Sequence, residues 1–103
     1  MILTLNDENF ISTVSWVQVP VLVKFSASWC KPCATIAPIL KELHGEANGE
    51  YAIFEIDADE ALATVKDLKI RNVPTIILFK YGKEVARMTG AANKAKILAF
   101  IKQ

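Results

Sequence analysis

Cys30-Lys31-Pro32-Cys33, preceded by Trp29, stands where an apolar run ends and a helical pattern begins. Two cysteines at this spacing can close a small disulfide ring. A helix N-terminus beneath the first sulfur stabilises a thiolate, the species that attacks in thiol-disulfide exchange. On this reading Cys30 is an exposed nucleophile that attacks a disulfide to form a mixed disulfide, and Cys33 resolves it. The competing chemistry for two close cysteines is half of a zinc site. A structural zinc needs four ligands, and the only histidine, His44, falls about 16 Å along a helix beyond Cys33, which leaves zinc short of ligands.

The remaining residues of the motif have conformational as well as chemical readings. Pro32 suits the first turn of a helix and stiffens the loop between the sulfurs, and Pro38 should kink the same helix one and a half turns in. Lys31 places a positive charge beside the Cys30 sulfur, where it would favour the thiolate and hence the reduced form. Trp29 is expected to shield the active face and to contact partners. Trp16 is read as structural, and His44 as a surface residue without a catalytic part.

The elements that must position this motif follow from periodicity. Ile2 to Leu5 reads as a short strand. Asn6 and Asp7 are cap candidates for a helix reaching about Val17, with Phe10, Ile11, Val14 and Val17 apolar. Val21-Leu22-Val23-Lys24-Phe25 has the continuous apolar character of a strand covered on both faces, broken by Lys24. After the cysteines, Ile36, Ile39, Leu40 and Leu43 recur at helical spacing until Asn48-Gly49. Ala52 to Asp57 is a third strand, and Asp59 is expected to cap a helix carrying Leu62, Val65 and Leu68. Thr75 to Phe79 and Glu84 to Thr89 read as a hairpin around Tyr81-Gly82-Lys83, and Asn93 opens a last helix with Ile97, Leu98, Phe100 and Ile101. Alternating strands and helices imply an α/β protein with parallel pairing through right-handed crossovers.

The 103 residues suit a single domain, 1–103, large enough to bury its own core. With 12 Lys and Arg against 11 Asp and Glu, the chain offers no electrostatic footprint for nucleic acid or an anionic membrane. The N-terminus lacks the basic, apolar and small-residue pattern of a secretory signal, and no run approaches a membrane span, so a cytoplasmic location is expected. In that compartment a close cysteine pair is redox-active or metal-binding more often than a structural staple.

With these elements in order, the chain resembles the thioredoxin family over essentially its full length. The carrying blocks are residues 23–33 through Trp29-Cys30-Lys31-Pro32-Cys33, then Ile36-Ala37-Pro38-Ile39-Leu40, Arg71-Asn72-Val73-Pro74-Thr75, Phe79-Lys80-Tyr81-Gly82-Lys83 and Thr89-Gly90-Ala91. The resemblance implies a thioredoxin fold: a five-stranded mixed sheet in order 1-3-2-4-5, flanked by four helices, with a cis peptide before Pro74. It also implies a substrate surface made by Trp29, Val73, Pro74, Gly90, Ala91 and Ala92, with the substrate backbone pairing near Val73.

Four positions depart from the family pattern. Lys31 replaces the usual Gly, and Ala34 the basic residue that commonly follows the second cysteine. A buried Asp is common at the position of Lys24, with a Lys near it at the position of Glu55; here the two charges are exchanged. Facing each other, Lys24 and Glu55 would be a candidate proton relay for Cys33. The bland alternative is a Lys24 that snorkels to water and a Glu55 that is merely solvated. Ser26 stands where Trp or Ser is usual.

The expected activity is a dithiol-disulfide oxidoreductase that reduces protein disulfides and is itself reduced by a thioredoxin-reductase-like flavoenzyme. No bound cofactor or metal, no nucleic-acid or membrane partner, and a monomer are expected. The rivals are a more oxidising oxidase or isomerase on the same fold, and a binding subunit whose redox pair is incidental.

Overall fold

The computed structural model describes residues 1–103. In chain order it contains β1 (Leu3–Leu5), α1 (Phe10–Trp16), β2 (Val21–Ser26), α2 (Lys31–Gly45), β3 (Ala52–Asp57), α3 (Leu62–Leu68), β4 (Thr75–Lys80), β5 (Lys83–Thr89) and α4 (Lys94–Ile101). The strands form one sheet in the order β1-β3-β2-β4-β5, as the resemblance implied. β3 runs parallel to β1 and β2, while β4 is antiparallel to β2 and β5 to β4.

β2 is central, and its side chains alternate between two cores. Val21, Val23 and Phe25 pack with Phe10, Val14, Ile56, Ile77 and Phe79 on the α1 and α3 side. Leu22 packs with Ile36, Leu40, Leu43, Ile53, Ile76, Ile97 and Ile101 on the α2 and α4 side. That double burial is why the sequence of β2 is almost continuously apolar. The β4–β5 turn places Tyr81 and Gly82 at φ 53° and 81°, the pair of left-handed residues that a two-residue hairpin loop needs.

α2 holds the cysteine motif at its first turn. Cys30 is its N-cap residue, Pro32 lies in the first turn where a missing N–H costs nothing, and the helix continues through Pro38 to Gly45. Pro38 is exposed, so the carbonyl it leaves without a helical partner is on the wet face.

Several local expectations are corrected. α1 begins at Phe10 behind Asn9, and neither Asn6 nor Asp7 is its cap; the Asn6 side chain instead accepts the N–H groups of Glu8 and Asn9 in the preceding turn. α3 begins at Leu62 behind Ala61, so Asp59 does not cap it. Asp7 does that from across the molecule. Its carboxylate accepts the backbone N–H of Ala63 (3.2 Å), the backbone N–H of Thr64 (2.9 Å) and the Thr64 hydroxyl (2.7 Å). Trp16, read as structural, is 83% exposed: its place on the last turn of α1 faces water, and Phe10 and Val14 are the helix's buried residues.

The Asp7 contacts predict a pH dependence. The Thr64 hydroxyl, followed by the Thr64 N–H, holds the Asp7 carboxyl below its usual range. A depressed carboxylate contributes stability that is fully present above the ordinary carboxylate value and is lost as pH falls through the lower folded value. Asp7→Asn should therefore unfold more readily at neutral pH, and its stability should depend less on pH than wild type below about pH 4. Thermal melts of both proteins from pH 7 to pH 2 check this.

Candidate active site at the start of α2

The end of β2 turns directly into α2, so Cys30 and Cys33 sit over the carboxyl end of a central strand. Their sulfurs are bonded to each other, with Cα atoms 5.3 Å apart. The Cys30 sulfur also accepts the backbone N–H of Cys33 at 3.2 Å, as an N-cap side chain does. This N–H and the helix dipole both favour negative charge on Cys30 once the disulfide opens.

The pair is less open than expected. Cys30, read as exposed, is 5% exposed, and Cys33 3%. Ala27 packs against both, with Val73 beside them, so the sulfurs lie in a small apolar cluster rather than on an open face. Lys31 and Pro32, between them, are exposed. No cluster of three or more His, Cys, Asp or Glu side chains is placed to hold a metal ion, and His44 lies in the last turn of α2.

Of the residues expected to form the substrate surface, Val73 packs beside the cysteines. The Val73–Pro74 peptide is cis, and Pro74 is buried. The Pro74 carbonyl accepts the Gly90 N–H at 3.0 Å, which ties the β5–α4 loop to the proline. Gly90 has φ +83°, a conformation that suits glycine and strains a residue with a side chain. Ala91 is exposed beside it, whereas Ala92 turns inward and packs against the α2–α4 core.

Trp29 is 69% exposed, and its indole N–H donates to Asp59 at 2.8 Å. Together they border a groove of about 270 Å3 whose other walls include Leu62, Ile70, Arg71 and Val73. The sequence reading took Asp59 for a helix cap, because it stands ahead of an apolar helical pattern, and did not pair it with Trp29. The local sequence of Asp59 does not single it out, since Asp57, Asp59 and Glu60 all precede that helix.

Lys24 and Glu55 are adjacent across β2 and β3, and the expected facing pair is present. Lys24 Nζ lies 3.6 Å from a Glu55 carboxylate oxygen. The Lys24 side chain is 6% exposed, against 36% for Glu55. The other Glu55 oxygen accepts the Thr4 hydroxyl at 3.3 Å. A larger hollow, about 330 Å3, lies between α1 and α3 on the other side of the sheet; it has no cysteine in its walls.

A mixed five-stranded sheet carrying a bonded Cys-X-X-Cys pair at a helix N-cap, next to a cis-proline loop, defines a dithiol-disulfide redox protein. The comparisons with known proteins agree. A sequence model of the thioredoxin family matches residues 1–103. "Thioredoxin C-2" of Corynebacterium nephridii is 43% identical over 102 residues, covering 99% of this chain and 94% of its own. The thioredoxin of Haemophilus influenzae is 39% identical over 102 residues, covering 99% and 95%. "Thioredoxin M-type, chloroplastic" of Chlamydomonas reinhardtii is 38% identical over 98 residues, covering 95% and 70%. The chain belongs to the thioredoxin family, and it is a thiol-disulfide oxidoreductase.

Proposed function

We propose that the chain, as a single domain over residues 1–103 and as a monomer, reduces protein disulfides in the cytoplasm and receives its electrons from a thioredoxin-reductase-like flavoenzyme. The family acts on protein disulfides together with thioredoxin reductase. The observation that carries the reading is the Cys33 N–H on the Cys30 sulfur at the N-cap of α2, which provides for a thiolate at one cysteine of the pair.

In the reduced protein, the Cys30 thiolate attacks one sulfur of a substrate disulfide. The substrate S–S bond breaks, and its other sulfur leaves as a thiolate and takes a proton from water. Cys33 then loses its proton and attacks Cys30 in the mixed disulfide. The Cys30–Cys33 bond forms, and the second substrate sulfur leaves as a thiolate, so two electrons have passed to the substrate. Trp29, Val73, Pro74, Gly90, Ala91 and Ala92 are the proposed substrate-binding residues, with Asp59 orienting Trp29. Lys31 and Pro32 tune the couple, the first by its charge beside Cys30 and the second by stiffening the loop. No helix is long and apolar enough to cross a membrane.

The test is a coupled assay with NADPH, a thioredoxin reductase and insulin as the disulfide substrate. NADPH oxidation that requires this protein and yields separated insulin chains is expected. A protein that reduces insulin when supplied with dithiothreitol, yet draws no electrons from the reductase, would refute the donor. A protein inactive under both conditions would refute the reductive reading.

A further inference from the structure

We propose that the hollow between α1 and α3 is a second binding site, for a small organic cation with an aromatic body, of the arylalkylamine class. It lies across the sheet from α2 and has no cysteine in its walls, so it is separate from the dithiol. Its volume of about 330 Å3 is near the lower end of the range of small-molecule sites, about 300–1,000 Å3. Phe10, Val14 and Phe79 form the floor, each 5% exposed or less. The Phe10 and Phe79 rings meet edge to face, with centroids 5.5 Å apart and planes at 74°. A third ring above them can pack in the same way. Ile11 and Leu68 carry the apolar wall outward to the rim.

Three cross-ties hold the elements around the hollow in place. Asp7, in the turn before α1, accepts the N–H of Ala63 and the N–H and hydroxyl of Thr64 on α3. Arg87 on β5 donates to the Leu68 carbonyl at the end of α3 at 3.0 Å, and to Glu84 at 2.6 Å. At the hairpin tip Gly82 abuts α1, where an added Cβ would lie 2.9 Å from the Ser15 hydroxyl oxygen. α1, α3 and the hairpin are therefore fixed against one another with the hollow between them, and little ordering of the protein opposes binding. A space closed in this way takes a small compact body, not an extended chain.

Charge selects the ligand. Asp7, Asp67 and Glu84 stand in the walls, and no lysine or arginine does. All three carboxylates are ionised at neutral pH. Arg87, outside the walls, neutralises Glu84. Asp7 is held by neutral donors, which leave its charge in place, and Asp67 is exposed and forms no ion pair. An aromatic anion would be repelled here, and a neutral ring would gain burial alone. A ring bearing an ammonium group gains burial and an ion pair with Asp67.

Titration of the oxidised protein with 2-phenylethylamine, 2-phenylethanol and 3-phenylpropionate, followed by 15N-resolved NMR of the backbone amides, tests the proposal. Saturable shifts are expected at residues 10–15, 63–68 and 79–84. The amine should bind about fivefold more tightly than the alcohol, and Asp67→Asn should weaken the amine about threefold, both within the range of exposed ion pairs, while leaving the alcohol unchanged. 3-Phenylpropionate should bind most weakly of the three. Insulin reduction by Asp67→Asn should equal that of wild type, since Asp67 is no part of the dithiol site. Shifts that do not saturate, shifts confined to the groove of Trp29 and Val73, or equal affinity for the three probes would overturn the proposal. An Asp67→Asn protein that keeps the full preference for the amine would overturn it as well. The ranking of the three probes on wild type decides the matter even if the variant does not fold.

Discussion

Cys33→Ser is expected to accumulate stable mixed disulfides with protein substrates, and Cys30→Ser to form none and to lose insulin reduction to the uncatalysed background. The two sulfurs are almost equally buried, so access alone does not separate their roles. Position on the helix does. Cys30 is the N-cap residue, receives the Cys33 N–H and lies at the positive end of the α2 dipole, while Cys33 is inside the first turn. The thiolate is the nucleophile, so the sulfur whose negative charge is better supported attacks first. Removing the attacking sulfur stops the reaction before any covalent step, whereas removing the second stops it after the mixed disulfide has formed. Gel analysis without reductant distinguishes these outcomes. Alkylation of the reduced wild type with iodoacetamide at neutral pH should be much faster at Cys30; equal rates at the two cysteines would contradict the assignment.

Ile36→Ala is expected to destabilise the fold by about 2–5 kcal/mol, one of the larger losses available to a single apolar truncation. Ile36 is fully buried, one turn after Cys33, and anchors the start of α2 against Leu22, Ile53 and Ile76. Alanine would leave a cavity walled by sheet residues that are themselves fully packed and cannot collapse into it. For a domain of this size each kcal/mol is about 4–8 °C in Tm, so a fall of roughly 10 °C or more is expected. The redox equilibrium of the protein that remains folded should change little, because Ile36 carries no charge. A melting shift under about 3 °C would mean that α2 is held by its other contacts, chiefly Leu40 and Leu43.

The order of elements and the redox chemistry were legible in the sequence because each rests on a local signal. β2 and β4 are nearly unbroken apolar runs, α2 starts at a Cys-X-X-Cys motif with Pro32 in its first turn, and Asn93 does cap α4, its side chain accepting the Lys96 N–H. What failed locally failed for a common reason. Asp7 and Asp59 both had the look of caps for the helix that follows, but carboxylates bind whichever donors the fold brings near. Asp7 therefore caps α3, more than fifty residues away, and Asp59 holds Trp29. Trp16 carried too little pattern to say which way it pointed, since a seven-residue helix buries only two of its residues.

The sequence by itself determined that the chain is a thioredoxin-family redox protein, because a nucleophile pair at a helix start needs only neighbouring residues to be recognised. Tertiary structure decided how far that pair is withdrawn from water, since Cys30 becomes buried only when Ala27 and the Val73 loop close around it. It also decided the meaning of Lys24 and Glu55. Their exchange is visible in the chain, but the parallel pairing of β2 with β3 sets them side by side, with the lysine side chain 6% exposed and the glutamate 36% exposed at the edge of a crevice. Charge becomes chemically decisive through its distance from water, and that distance is a property of packing between elements far apart in sequence.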